Sequence, residues 1–175
     1  MKFLVFRMSS LGDILLASSF LETLPEDAKV DWVVRSEFAF ALHGHPKIEN
    51  LISFDRKAGL KGWFALIHQL ARAPYTARVD LHRNLRTTLA FFLFRVFDLA
   101  HLKFIPHQRI SKERFRQASY FLLKSATPVA LRPTRYWLRF AKLARRWSSS
   151  DYLAPPSFWP ILAASGLREI GRAHV

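Results

Sequence analysis

The sequence contains no cysteine. That excludes disulfides, zinc–thiolate sites and thiol nucleophiles, and it fits a reducing compartment without requiring one. Long apolar runs are missing too. The most apolar stretch, LAFFLFRVFDLAHLKF (89–104), is broken by Arg95 and Asp98. It falls short of the roughly 18 clean apolar residues that a membrane span needs. The N-terminus lacks a signal-peptide pattern, because Arg7 follows FLVF at once and Asp13 interrupts the next apolar run. The expectation is a protein that stays on the side of the membrane where it is made. Repeats and low-complexity tracts are absent. Acidic residues are scarce after the first third: residues 1–55 hold five Lys and Arg against eight Asp and Glu, and residues 56–175 hold 22 against five.

What is present is a globular composition. Half of the 175 residues are hydrophobic and 14% are aromatic, enough for the core of one domain. The net charge of +14, carried by the later part, points to an anionic partner: nucleic acid, a phosphorylated sugar or an anionic membrane. Solvated basic helix faces are the plainer alternative.

Strand and helix patterns alternate along the chain. KFLVF (2–6), KVDWVV (29–34), NLISF (50–54), ARVDL (77–81) and HLKFI (101–105) read as five strands. Gly12 to Leu24, Glu37 to Leu42, Leu60 to Arg72 and Asn84 to Leu99 read as helices, several closed by Pro25, GHP (44–46) and Pro74. This order predicts an α/β fold, a Rossmann-like parallel sheet with helices on both faces. After Pro106 the pattern changes to two basic helices, Lys112 to Lys124 and Thr134 to Trp147.

In such a sheet, ligands bind beyond the carboxyl ends of the strands. RMSSLGD (7–13) follows the first strand there. Ser9 and Ser10 offer hydroxyls, Gly12 permits a tight turn and close ligand approach, and the helix start favours anions. Asp13 fits a helix cap stabilised by the helix dipole. It also fits a base. DRKAGLK (55–61) and HRNLR (82–86) lie on the next loops. Arg56, Lys57 and Lys61, with Arg83 and Arg86 three apart, are candidates for a clamp on carboxylates and phosphates. Against this, Asn84 caps a helix and the arginines are solvated. His82 has no partner at ligand spacing, and no metal site is expected.

The segments RMSSLGD (7–13), KVDWVVRSEFAFALHGHPKIENLISFDR (29–56) and ARVDLHRNLRT (77–87) together resemble the heptosyltransferase family, glycosyltransferase family nine, over most of residues 2–105. Two departures stand out. The family's proline in the helix after GD is replaced by ASSFL (17–21), and Arg83 stands where many members carry glycine. The resemblance implies the N-terminal, acceptor-binding half of a GT-B glycosyltransferase, residues 1–167, whose donor half lies beyond this chain. It implies transfer of heptose from ADP-heptose, with inversion, to the Kdo–lipid A inner core of lipopolysaccharide. Asp13 would be the base. Ser9, Ser10, Gly12, Arg56, Lys57, Lys61, Arg83, Asn84 and Arg86 would hold the acceptor. No cofactor is implied beyond the donor, bound mainly by the absent half, and this chain alone would be inactive. The protein would be cytoplasmic, peripheral at the inner face of the inner membrane.

The helix RYWLRFAKLARRW (135–147) aligns Tyr136, Phe140, Leu143 and Trp147 on one stripe and Arg135, Arg139, Lys142 and Arg146 on another. It reads as core packing, as contact with anionic lipid, or as an apolar face left bare by the missing half. EIGRAHV (169–175) is what one frame of a common sequencing adapter encodes, GAG ATC GGA AGA GCA CAC GTC, and is read as foreign to the natural protein. The alternative to a transferase is a basic, non-catalytic α/β module that binds nucleic acid. No aromatic–basic RNA motif or helix-turn-helix signature supports it, and nucleic acid is not the expected partner.

Overall fold

The computed structural model describes residues 1–110 and 136–148. Its strands are β1 (Lys2–Phe6), β2 (Lys29–Arg35), β3 (Ile48–Phe54), β4 (Ala77–Asp80) and β5 (His107–Arg109). Its α-helices are α1 (Leu11–Thr23), α2 (Gly59–Arg72), α3 (Leu85–Ala100) and α4 (Tyr136–Ala144). All strand pairs are parallel, and the order across the sheet is β3-β2-β1-β4-β5. β1 lies at the centre, with Val5 level with Trp32 on one side and Val79 on the other.

Alternation along β1 sorts its side chains to two faces. Phe3 and Val5 join Val30, Trp32 and Val79 in a core that α1 and α4 cover. Leu4 and Phe6 join Val33, Trp63, Phe91 and Phe94 under α2 and α3. Continuous apolar strands are what a doubly covered parallel sheet requires.

The expected boundaries hold closely for four strands and for the helices after β1, β3 and β4. The segment Ser36–Leu42 is a 3₁₀ helix. The fifth strand moves. HLKFI (101–105) lies outside the sheet, and β5 begins at His107. The reason is the end of α3. The backbone N–H groups of His101 and Lys103 still bond Asp98 O, and Leu102 turns through φ +53°. The chain regains the sheet only at Pro106, whose carbonyl accepts from Arg78 N at 3.0 Å. Leu102 and Phe104 are left 80% and 93% exposed, so their apolar character signals a surface rather than a strand.

Of the two basic helices expected near the C-terminus, Lys112 to Lys124 lies outside the described residues. The other appears as α4, and its apolar stripe is core. Phe140 is buried, and Leu143 and Trp147 pack on the same cluster. Trp147 meets Phe3 and Phe20 edge-on at centroid distances of 5.1 and 6.2 Å. That overturns the bare-face and lipid-contact readings for these three side chains.

A buried polar cluster ties the amino-end side of the sheet together. Arg78 Nη1 donates to Asp98 Oδ2 at 2.6 Å and Nη2 to Ala71 O at 3.2 Å, while the guanidinium lies over the Phe94 ring. His107 Nε2 stands 3.1 Å from the same Asp98 oxygen. Burial, and then the nearby Arg78 charge, hold the His107 imidazole below its ordinary pKa of 6.5. The unfolded chain therefore binds that proton more readily, and stability should be full above about pH 6.5 and fall below it. The urea midpoint is expected to drop between about pH 7 and 5, with a shallower slope in His107→Gln. An unchanged slope would place the titration elsewhere. A second expectation concerns the displaced apolar residues: Phe104→Ser should shift stability by less than about 0.5 kcal/mol. Phe94→Ala should cost about 3–5 kcal/mol by the same measurement.

Candidate functional site

The loops after β1, β2 and β4 open onto one cavity of about 500 Å³ at the carboxyl edge of the sheet. Met8 and Ser9 enter from β1, Arg35 from the end of β2, and His82 and Asn84 from the loop after β4. Leu60 and Trp63 of α2 and Leu85, Arg86 and Leu89 of α3 complete the wall. Among the described residues no acidic side chain lines it.

Two buried charges shape this edge. Asp80, at the end of β4, is fully buried. Its Oδ1 accepts from the backbone N–H of His82 at 3.0 Å and Arg83 at 2.7 Å. Its Oδ2 accepts from Thr87 Oγ1 at 3.0 Å and from Arg109 at 3.0–3.1 Å. The loop, the first turn of α3 and β5 are thereby fixed to one carboxylate. Arg7, 4% exposed, is the second. Its Nη1 donates to Leu81 O at 2.6 Å, and its Nη2 forms an ion pair with Asp13.

Asp13 sits at the third position of α1. Ser10, the N-cap, donates its N–H and its hydroxyl to Asp13 Oδ2 at 3.4 and 3.1 Å. The capping reading and a chemical role meet in one side chain, whose carboxylate remains 34% exposed. It is therefore neither in a dry pocket nor without a counter-charge. It does not line the cavity; Ser9, beside its partner Ser10, does. Gly12 differs from the sequence reading. It lies in the first turn of α1 without a positive φ, and a Cβ there would meet nothing within 4 Å. The tight-turn argument lapses, and room for a close approach remains.

The clamp candidates separate. Arg86 reaches the cavity wall, its guanidinium over the rings of Phe54 and Trp63 at 5.5 and 5.7 Å. Among the described residues no carboxylate pairs with it. Asn84 caps α3, accepting from Thr87 N at 2.8 Å, and also lines the cavity. Arg83 precedes the cap and turns away, donating to Ile110 O at 3.1 Å. It does not share a helix face with Arg86. Lys57 and Lys61 are exposed and outside the cavity wall. The Arg56 side chain lies outside the described residues. Among the described residues there is no cluster of His, Asp and Glu poised to hold a metal ion.

Two arginines were missed from sequence. Arg35 lines the cavity and donates Nε to Met8 O at 3.4 Å, while Nη2 pairs with Glu37 at 2.9 Å. Its place as the last residue of KVDWVVR, at a strand's carboxyl end, is the signal that could have found it. Arg7 had the same signal, at the end of KFLVF.

The class the fold defines is a doubly covered parallel α/β sheet of Rossmann type, matching one half of a GT-B glycosyltransferase. Three solved structures share it. Escherichia coli heptosyltransferase WaaC with ADP-2-deoxy-2-fluoro heptose matches at TM-score 0.58 and 18% identity, over 90% of this chain and 52% of that one. The same enzyme with ADP matches at TM-score 0.59 and 18% identity, over 97% and 54%. A family 9 glycosyl transferase from Veillonella parvula matches at TM-score 0.58 and 19% identity, over 94% and 48%. The chain thus spans about half the length of the structures it matches. No family model and no curated protein matches the sequence.

Arg83 allows a test of the loop. Its φ of +49° is a left-handed backbone that favours glycine. Arg83→Gly is expected to keep stability within about 1 kcal/mol, the relief of strain offsetting the lost bond to Ile110. Arg83→Val, which keeps the strain and loses the bond, should be clearly less stable in urea.

Proposed function

We propose that this chain is the acceptor-binding half of an inverting heptosyltransferase of glycosyltransferase family nine. The observation that carries the reading is the placement of Asp13. Its carboxylate is held by Arg7 and Ser10 just past the carboxyl end of the central strand, and Ser9, which precedes Ser10, lines the cavity that bears Arg86. The fold shared with heptosyltransferases supports it, and so do RMSSLGD and ARVDLHRNLRT.

The chemistry is balanced with one carboxylate. An acceptor sugar hydroxyl attacks the anomeric carbon of ADP-heptose from the face opposite the leaving group. The new C–O bond forms as the bond to the diphosphate breaks, and ADP leaves with that electron pair. Asp13 takes the hydroxyl proton as attack develops, a contribution of roughly 10²–10⁴ in rate. Arg7 fixes the direction of the carboxylate. Arg86 and Arg35 supply charge for the carboxylates and phosphates of a Kdo–lipid A acceptor, with Ser9 and Asn84 as hydrogen-bonding partners. Ser10 and Gly12 shape the loop, and Lys57, Lys61 and Arg83, outside the cavity wall, add only long-range positive charge. The donor binds to a second half, and no metal is used. The enzyme works at the cytoplasmic face of the inner membrane, where a lipid-anchored acceptor lies.

The test uses the protein carrying its donor half. Asp13→Asn, which keeps the cap acceptor, is expected to lower kcat by at least about 10²-fold with the circular dichroism spectrum unchanged. The 175-residue chain alone should release no ADP from ADP-heptose. Turnover retained in Asp13→Asn would remove the base role, and ADP release by the isolated chain would overturn the division of labour.

A further inference from the structure

Helix α3 is apolar on two opposite sides. Its inward side carries Thr87, Ala90, Phe91, Phe94 and Asp98, all buried. Its outward side carries Leu85, Leu89, Phe92, Val96 and Leu99, spaced four, three, four and three residues apart, which is one helical stripe. These five are 87%, 38%, 62%, 51% and 75% exposed. The stripe runs the length of α3, roughly 24 Å at 1.5 Å per residue. Phe64 of α2 flanks it across a shallow apolar groove shared with Val96, and Leu102 and Phe104 extend it past the helix end. A soluble surface rarely leaves so continuous an apolar face uncovered.

Charge decides what covers it. Between residues 56 and 110 the sequence has two acidic residues, Asp80 and Asp98, and both are buried. The exposed charges beside the stripe are all positive, Lys61 next to Leu60, Arg95 next to Val96, and Lys103 between Leu102 and Phe104. A second copy of the chain would set these cations against their own counterparts. Residues 111–135 of this chain carry six Lys and Arg against one Glu, so they offer no complementary charge either. Nucleic acid would satisfy the cations, but the aliphatic Leu85, Leu89, Val96 and Leu99 offer bases no ring to stack on. An anionic lipid surface satisfies both, burying the apolar stripe at the acyl boundary and pairing cations with headgroups.

We infer that the outer face of α2 and α3, centred on Leu85, Leu89, Phe92, Val96 and Leu99, docks on an anionic membrane. Leu85 and Leu89 belong to the stripe and also to the wall of the candidate-site cavity. The cavity mouth therefore opens at the bilayer surface. That this delivers a lipid-anchored acceptor rests on the function proposed above; the docking itself does not.

The test is flotation of the 175-residue chain with vesicles of phosphatidylglycerol in phosphatidylcholine, and with phosphatidylcholine alone. Neither donor nor acceptor sugar is present, so the outcome is independent of transfer. Binding is expected on the anionic vesicles only, weakening as salt rises. The pair Phe92→Ser and Leu99→Ser should bind at least about tenfold more weakly. The triple reversal Lys61→Glu, Arg95→Glu and Lys103→Glu should lose roughly 100-fold or more. Lys142→Glu, on exposed α4 at the other face of the sheet, should bind like the parent. All six substitutions sit on exposed side chains, and circular dichroism checks that each variant folds. Binding unaffected by the Ser and triple variants would overturn the inference, as would equal loss in Lys142→Glu. So would a dimer in light scattering that Phe92→Ser dissolves, or tight duplex DNA binding that leaves the vesicles empty.

Discussion

A single buried carboxylate organises the working edge of this molecule. Asp80 has no access to solvent, and a lone charge there would be costly. It is tolerated because two backbone N–H groups, a hydroxyl and a guanidinium all converge on it. The donors come from three pieces: the loop after β4, the first turn of α3, and β5. Satisfying one charge therefore sets where α3 starts, which way Arg83 turns and where β5 ends. The orientation of α3 follows, and with it both the cavity wall at Leu85, Arg86 and Leu89 and the exposed stripe that runs from it.

Arg7 plays the matching part at β1. It leaves the central strand, binds the carbonyl that follows β4, and holds Asp13 on α1. The capping box gives Asp13 a stable place, and the ion pair gives it a direction. One side chain thus serves the helix start and the pairing with Arg7. The dipole of α1 steadies the carboxylate, and Arg7 ties it to the end of the central strand. The two clusters together leave few degrees of freedom in the loops around the cavity.

The sequence carried much of this in legible form. Apolar strands separated by capped helices announced a doubly covered parallel sheet, and SSLGD announced the helix start where Asp13 sits. Errors came where local pattern and tertiary demand part. HLKFI has strand composition, but Asp98 keeps 101–103 wrapped on the end of α3, and a proline delays the chain's return to the sheet. Arg83 and Arg86 share a spacing but not a face, because the N-cap falls between them. Arg7 and Arg35 are unremarkable letters at strand ends; only pairing of the strands brings Arg35 to the cavity and Arg7 between Leu81 and Asp13. The stripe on α3 was not read from sequence, because the stretch 89–104 is apolar on both sides and does not tell the outer face from the buried one.

By itself, then, the sequence determined what is local and periodic: the alternation of elements, the helix start around Asp13, the cap at Asn84, and the lopsided charge. These follow from backbone propensity and from hydrogen bonds closed within a few residues. The tertiary structure alone decided which of two apolar faces of α3 is core and which is surface, and which carboxylates are buried. It also decided which cations stand free at a cavity. Those outcomes depend on contacts between residues 20 to 75 positions apart, such as Arg7 with Leu81 and Arg109 with Asp80. Burial is a property of the assembled sheet, and no single segment encodes it.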